Sequence, residues 1–352
     1  MEFLFFLNLI INKKGLLKYL RFLLFPLAFL YGTVAHIRNL FFHFGFFSSK
    51  NFRTPSIGVG NLSMGGTGKS VVVTYLIDIL QKTKTLATLS RGYARKTRGL
   101  RVAGKKDTAA TLGDEPYQFF KRFPNLNVVV SEKRALGMEA IDTLNPIPEV
   151  VIMDDVMQHR WVKPNILIVT TDYKNPYFKD YVFPVGGLRE FRCGINRADI
   201  ILVTHTPNNF SKNRKEKFLK RIKSNSPVLF TKINYDNSLF RNKQFKSTLN
   251  LKKDNFILVT GIADPTKMVI YLESKFGIFK HLRFSDHHSF SKKDVTKILQ
   301  AATNKIILTT EKDYGKLYPL INDDRLCYIR IHLDFISYSD KKQFDKIILD
   351  TI

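Results

Sequence analysis

The chain is poor in cysteine, with two among 352 residues, and it has one tryptophan. Cys193 and Cys327 can build neither a disulfide framework nor a cysteine-rich metal site, and such usage fits a reducing compartment. Acid is scarce as well. Asp and Glu number 30 against 56 Lys and Arg, a formal net charge of +26. That excess calls for a polyanionic neighbour: nucleic acid, an anionic membrane or a phosphorylated substrate. Long apolar runs are missing too. Within the first 50 residues the longest uncharged stretch, 22–37, has 16 residues and contains Pro26 and Gly32. A spanning helix takes about 20 apolar residues. The hydrophobic share of 44% excludes wholesale disorder, and the length points to two domains.

Residues 1–50 differ from the rest. Phe, Leu and Ile come in blocks, with Lys13, Lys14, Lys18, Arg21, Arg38 and Lys50 against the single acid Glu2. A secretory signal would place its positive charges before the apolar block, but Phe3 to Phe6 precede any Lys. The segment therefore reads as an interfacial membrane anchor, its basic residues on anionic headgroups at the cytoplasmic side. The alternatives are a helix packed on the protein's own core and a true span.

After Asn51, short β-branched runs alternate with helical patterns. Strands are expected at 56–60, 86–90, 127–130, 150–154, 166–170 and 199–204, with helices at 69–81, 115–122 and 133–144. Apolar strands alternating with helices argue a mostly parallel sheet covered on both faces. Residues 206–253 carry 13 Lys and Arg against Glu216 and Asp236. They read as a helix, an extended segment at 227–233 and a polar connection. A second α/β block follows, with strands at 256–260, 281–284, 306–309 and 328–332 and helices at 265–276, 292–302 and 340–349. The expected division is a membrane segment at 1–50, a nucleotide-binding domain at 51–225, a linker at 226–253 and a C-terminal domain at 254–352.

The strongest local signal is Gly60-Asn-Leu-Ser-Met-Gly-Gly-Thr-Gly-Lys-Ser70, between an expected strand and helix. This is the setting of a Walker A loop. Met64, Gly65, Gly66, Thr67 and Gly68 would offer backbone N–H groups to phosphates at a helix N-terminus. Lys69 would reach the β- and γ-phosphates of a nucleotide, and the Ser70 hydroxyl would hold Mg²⁺. Ser63 stands where the consensus has glycine. Asp154 and Asp155 end a hydrophobic strand, as in a Walker B element, and could bind Mg²⁺ directly or through water. Gln158 and His159 follow at once.

Two further groups are ambiguous when read locally. Asp114 and Glu115 are adjacent carboxylates at a helix start, where they would serve either as acid–base groups or as a simple cap. His287 beside Asp286 is either an oriented base partner or part of a polar turn. Two adjacent histidines without a third ligand make a poor zinc site. Arg91, Arg95, Lys96, Arg98 and Arg101, and later Arg189, Arg192 and Arg197, are either solvated charge or clamps on phosphoryl oxygens.

Taken in order, these motifs resemble the tetraacyldisaccharide 4′-kinase family, the lipid A 4′-kinases of Gram-negative bacteria. The resemblance continues through Leu89-Ser-Arg-Gly-Tyr93, Gly113-Asp-Glu-Pro116, Asp154-Asp-Val-Met-Gln-His-Arg160, Phe183-Pro-Val-Gly-Gly-Leu-Arg-Glu190, Arg197-Ala-Asp199, Phe284-Ser-Asp-His-His288 and Thr310-Glu-Lys-Asp313. It departs at Val156-Met157, where the family usually has Gly-Phe.

The resemblance implies two α/β/α domains, the first P-loop NTPase-like, joined by an extended linker with a cleft between them. It implies transfer of the ATP γ-phosphate to the 4′-hydroxyl of a tetraacyldisaccharide 1-phosphate in lipid A biosynthesis. On that footing Asp114 matches the base and His287 its partner across the cleft. Glu115 and Ser70 match Mg²⁺ contacts, Lys69 the phosphate contact, and Asp154, Asp155, Gln158 and His159 the acidic cluster. Location on the cytoplasmic face of the inner membrane, among anionic lipids, goes with it. A different membrane-associated P-loop ATPase or switch is the alternative, although no Asn-Lys-x-Asp guanine signature ends a strand. No nucleic-acid partner is expected, for want of a helix-turn-helix, RRM or KH signature.

Overall fold

The computed structural model describes residues 21–241, 244–247, 251 and 255–352. The anchor reading of residues 1–20 therefore lies outside the described residues. From Arg21 a 3₁₀ turn leads into α1 (Phe25–His43), with Pro26 in its first turn, where no intrahelical N–H is needed. The nucleotide-loop region follows as β1 (Ser56–Asn61), α2 (Lys69–Leu80) and β2 (Leu86–Ser90). Next come β3 (Arg101–Val102), α3 (Ala109–Leu112), α4 (Asp114–Arg122), β4 (Asn127–Val130) and α5 (Arg134–Ile141). Then β5 (Val150–Asp154), β6 (Ile166–Asp172), β7 (Ile200–Thr204), α6 (Lys212–Leu219) and β8 (Val228–Arg241). The remainder is β9 (Gln244–Ser247), β10 (Phe256–Thr260), α7 (Thr266–Phe276), β11 (Lys280–Arg283), α8 (Lys292–Ala302), β12 (Ile306–Thr310), α9 (Glu311–Leu317), β13 (Leu326–Phe335) and α10 (Tyr338–Thr351).

Compactness divides the chain into two discontinuous units. The first gathers 1–90, 133–233 and 333–352, and the second gathers 91–132 and 234–332. The boundaries expected from sequence are continuous, so stretch 91–132 is grouped differently here. The chain leaves the first unit within β8 and returns to it within β13.

In the first unit, strands run β8-β7-β6-β1-β5-β2, every neighbouring pair parallel. β1, β2, β5 and β7 are buried along their whole length, which explains their continuous apolar sequence. Where α5 meets the sheet, a missing side chain makes room for a neighbour's. A Cβ on Gly137 of α5 would lie 2.4 Å from Leu89 of β2. The second unit has the parallel order β11-β10-β12-β13, with β3 antiparallel to β4. Its core is built from side chains such as Ile257, Val259, Ile298, Ile307 and Leu317. Strands β3 and β9 and helices α3 and α9 were not expected. They are too short to display a period.

The helical run Arg21–His43 spans 23 residues, long and apolar enough to cross a membrane. It outlasts the uncharged stretch because it continues through Arg38. One side is fastened to the first unit, with Ala28, Gly32 and Phe42 buried. Gly32 allows the close approach, since a Cβ would lie 2.6 Å from the Phe191 ring, which would have to shift. The other side leaves Phe29, Leu30 and Val34 exposed at 67%, 61% and 61%. A contiguous apolar face of this kind marks an interaction surface.

Candidate active site

In the first unit, β1 delivers the chain to the phosphate loop and α2 leaves it. Asn61 is fully buried at the end of β1. Its side-chain amide donates to the Ser63 carbonyl at 2.7 Å and to Thr67 Oγ1 at 2.8 Å. Thr67 and Thr170 share a hydroxyl hydrogen bond of 2.8 Å, and the Thr204 hydroxyl donates to the Thr67 carbonyl at 2.9 Å. The loop is thus held from β1, β6 and β7. Gly65 (φ 109°) and Gly68 (φ 79°) supply left-handed backbone that other residues resist. Gly65 and Gly66 have nothing within 4 Å of a would-be Cβ, so the loop crest stands open, with Met64 46% exposed. Ser63, in place of the consensus glycine, does not disturb this cradle.

Lys69 opens α2. Its Nζ lies 3.4 Å from Asp155. The Arg189 guanidinium donates to both Asp155 oxygens at 2.9 Å and to Gln158 Oε1 at 3.0 Å. Gln158 in turn donates to the Asn61 carbonyl and to buried Glu190, which also pairs with Arg197 at 2.5 Å. Burial pushes the Asp155 carboxyl up, but Lys69 and Arg189 outweigh it and hold the group below its ordinary range. Asp155 sits in left-handed backbone at φ 52°, whereas its neighbour Val156 is buried with its side chain over Gly58. The demand for unusual backbone thus falls on Asp155, and a valine is accommodated beside it. Asp154 is buried at the end of β5, while His159 turns its own backbone N–H to the Val156 carbonyl.

The second unit holds Asp114 and His287. Asp114 is not a helix cap. The cap position of α4 is Gly113, with no side-chain bond, and the Asp114 carboxylate turns elsewhere. Its Oδ2 lies 2.9 Å from His287 Nδ1, although 173 positions separate the residues, and 2.7 Å from Lys316 Nζ. Lys312 Nζ stands 3.3 Å from His287 Nε2 and 3.8 Å from Asp114. With an ammonium donating to Nε2, the imidazole proton sits on Nδ1 and points at the carboxylate. Burial raises the Asp114 carboxyl, but His287, Lys316 and Lys312 together bring it below the ordinary range. Gly113 permits this arrangement. It has φ 96°, and a Cβ there would lie 2.8 Å from the Tyr93 carbonyl. The Tyr93 ring meets His287 edge-on, 5.4 Å between centroids.

Helix α9 carries the two lysines. Buried Asp313 accepts from the Gly261 N–H and the Thr310 hydroxyl, each at 2.8 Å, which fixes the helix start. Glu311 accepts from Gln118 at 3.0 Å and Arg122 at 3.2 Å, tying α9 to α4. A cavity of about 390 Å³, walled by Tyr117, Tyr314, Tyr318 and Tyr328, reaches Asp114 and Lys312.

The site residues expected from sequence therefore fall into two groups. Lys69, Ser70, Asp154, Asp155, Gln158, His159 and Arg189 belong to the first unit, and Arg91, Asp114, Glu115 and His287 to the second. Arg91 is exposed, whereas Arg95 is tied to Glu132 and Arg101 to Asp107, each at 2.6 Å. Sequence alone assigns no role to Lys312, Lys316 or Glu190. Lys312 and Lys316 are four apart and so share a helix face, a usable signal.

A sequence model of the family described as Tetraacyldisaccharide-1-P 4′-kinase matches residues 20–352. The chain belongs to the tetraacyldisaccharide 4′-kinase family. It is thereby a kinase, an enzyme of lipid A biosynthesis. The tetraacyldisaccharide 4′-kinase of Flavobacterium psychrophilum is 40% identical over 340 residues, covering 96% of this chain and 98% of that protein. That of Bacteroides thetaiotaomicron is 37% identical over 321 residues, covering 86% and 84%. Among solved structures, LpxK from Aquifex aeolicus in complex with ATP superposes with a TM-score of 0.77 at 29% identity, covering 94% of this chain and 99% of that one.

The oxygen donors of the first unit would suit Mg²⁺. Mg²⁺ takes oxygen ligands, keeps several waters, and is bound mainly through substrate phosphates plus one or two protein groups. The Ser70 hydroxyl and the Asp154 and Asp155 carboxylates are hard oxygen donors of that kind, all in the first unit with the phosphate loop. Among the described residues no cluster of three or more His, Cys, Asp or Glu could hold a metal by itself.

Proposed function

We propose that this chain transfers the γ-phosphate of ATP to the 4′-hydroxyl of tetraacyldisaccharide 1-phosphate, forming lipid IVA. The observation that carries the reading is the 2.9 Å contact between Asp114 and His287, in a chain of this family. Asp114 takes the proton of the acceptor hydroxyl. His287 orients Asp114 through Nδ1–H, and the positive charge of Lys312 and Lys316 favours the anionic acceptor. Lys69, with the loop N–H groups of 64–70, holds the β- and γ-phosphates. Arg189 keeps Asp155 placed beside Lys69. Mg²⁺, held by Ser70 and Asp154 or Asp155, with Glu115 a further candidate, would neutralise charge on the transferring phosphoryl group. Positioning and charge stabilisation are what this reaction asks of a protein.

The test is direct. Purified protein in detergent with Mg²⁺ and labelled ATP is expected to label tetraacyldisaccharide 1-phosphate. Robust labelling of some other acceptor, with none on this lipid, overturns the assignment.

The division into a nucleotide domain at 51–225, a linker at 226–253 and a C-terminal domain at 254–352 belongs to the same reading. So does residence on the cytoplasmic face of the inner membrane, among anionic lipids and without a nucleic-acid partner. The exposed Phe29, Leu30 and Val34 of α1 support the membrane part. Replacing all three with Ser is expected to lower sedimentation with anionic-lipid vesicles about tenfold or more, since each buried apolar side chain contributes roughly 1.5–3 kcal/mol. Undiminished sedimentation would place the binding surface elsewhere.

A further inference from the structure

Two side chains at the carboxyl end of the first unit's sheet have no part in the chemistry described so far. Asp172 ends β6 and His205 follows β7, on strands paired in register with Asp172 opposite Thr204. His205 Nδ1 lies 2.5 Å from Asp172 Oδ2, and the two side chains are only 16% and 17% exposed. The other Asp172 oxygen accepts the backbone N–H of Lys174 and Asn175 at 2.8 and 2.9 Å. A carboxylate engaged this way accepts the Nδ1–H of the imidazole and leaves Nε2 for another partner. His205 also occupies left-handed backbone at φ 56°. A tie between β6 and β7 would not need that strain, because five residue pairs already join the strands.

Position gives the pair its meaning. The residue before His205 is Thr204, whose hydroxyl donates to the Thr67 carbonyl of the phosphate loop at 2.9 Å. A Cβ on Gly68 would come within 3.3 Å of the Thr204 methyl. His205 is therefore the next residue outward from the loop. In open parallel sheets ligands lie across the carboxyl ends of the strands. The strand order sets the direction along that edge. β5, bearing Asp154 and Asp155, flanks β1 on one side, and β6 and β7 lie on the other. The terminal phosphates belong with Lys69 and the acids. A nucleotide is an extended molecule, so its nucleoside end must leave toward β6 and β7.

We infer that His205, oriented by Asp172, contacts the nucleoside end of ATP. Asp172 is a positioning residue and His205 a binding residue. The inference rests on the kinase reading only for the identity of the nucleotide.

Full-length protein in detergent is titrated calorimetrically with ADP and, separately, with inorganic tripolyphosphate, which has no nucleoside. For His205→Ala, ADP affinity is expected to fall about tenfold with tripolyphosphate affinity unchanged, one contact of roughly 1.4 kcal/mol. KM for ATP should rise by the same factor while kcat at saturating ATP stays within about twofold. Asp172→Asn, which keeps the ring but turns an amide N–H toward Nδ1 and so disfavours the Nδ1–H tautomer, should show a smaller loss of the same kind. Equal losses for ADP and tripolyphosphate overturn the proposal, since His205 would then act on the loop through Thr204. Unchanged ADP affinity overturns it too. Retained tripolyphosphate binding reports that the variant is folded. The titrations need no acceptor lipid, so their outcome stands whether or not the lipid is phosphorylated.

Discussion

Asp114→Ala is expected to lower kcat by about 10²–10⁴-fold with little change in the KM for ATP. The reason lies in what surrounds the carboxylate. It accepts from His287 and Lys316 at 2.9 and 2.7 Å, with Lys312 at 3.8 Å. These groups hold its pKa below the ordinary range against the opposing effect of burial. Asp114 is therefore ionised at neutral pH and ready to accept a proton. A depressed pKa also makes it a weak base in the resting state. Phosphoryl transfer tolerates this, because its transition state is loose and the hydroxyl becomes acidic only as the new bond forms. A carboxyl with a lowered folded pKa contributes stability above its unfolded value of about 3.9, lost as pH falls through the folded value. The acidic limb of kcat assigned to Asp114 should accordingly lie below about pH 4. Wild-type kcat in Asp114→Ala would reduce Asp114 to an ion-pair partner of Lys316. His287→Ala is the companion variant, and a smaller loss is expected because His287 acts through Asp114.

Much of this site was legible in the sequence, and the illegible part has a physical cause. The phosphate loop announces itself because one short segment must contain the glycines, the lysine and the hydroxyl. The parallel strands do so because burial on both faces leaves only apolar residues. Asp114 and His287 could not be separated from a cap and a turn, since their meaning lies in a contact across 173 positions. Gly113, not Asp114, takes the cap position, so the carboxylate is not spent there. Lys312 stands within the Thr310-Glu-Lys-Asp313 segment and Lys316 one helical turn on, but nothing local names their partners, Asp114 and His287, which only the fold brings to them. Read locally, Arg95 and Arg101 are either solvated charge or phosphate clamps, and in the fold Glu132 and Asp107 engage them. Glu132 lies 37 positions from Arg95, beyond the reach of local charge counting, whereas Asp107 lies only 6 from Arg101 and is a local signal. Val156 is the reverse case. It stands where the family usually has glycine, yet the left-handed backbone falls one residue earlier, at Asp155.

Lys69→Ala should depress kcat/KM for ATP by about 10²–10³-fold, the scale seen when one preorganised donor to developing charge is removed. The loop itself should survive the change. Its shape depends on Asn61, Thr67, Thr170 and Thr204, not on the lysine. Asp155 would keep Arg189 at 2.9 Å as its counter-charge, so no buried carboxylate is stranded. Stability should therefore change by less than about 1 kcal/mol, the scale of a single partly exposed ion pair, and the loss should appear almost wholly in nucleotide handling. Lys69→Arg retains the charge but not the compact ammonium that fits between phosphates and Asp155, and only part of the activity should return. The KM for the acceptor lipid separates the outcomes. Lys69 and the Asp114–His287 pair lie in different units of the chain. A phosphate-binding lysine thus leaves acceptor KM near its wild-type value while kcat/KM for ATP collapses. A matching rise in acceptor KM would mean that Lys69 contacts the lipid's own phosphate, and the loop's assignment to ATP would have to be redrawn.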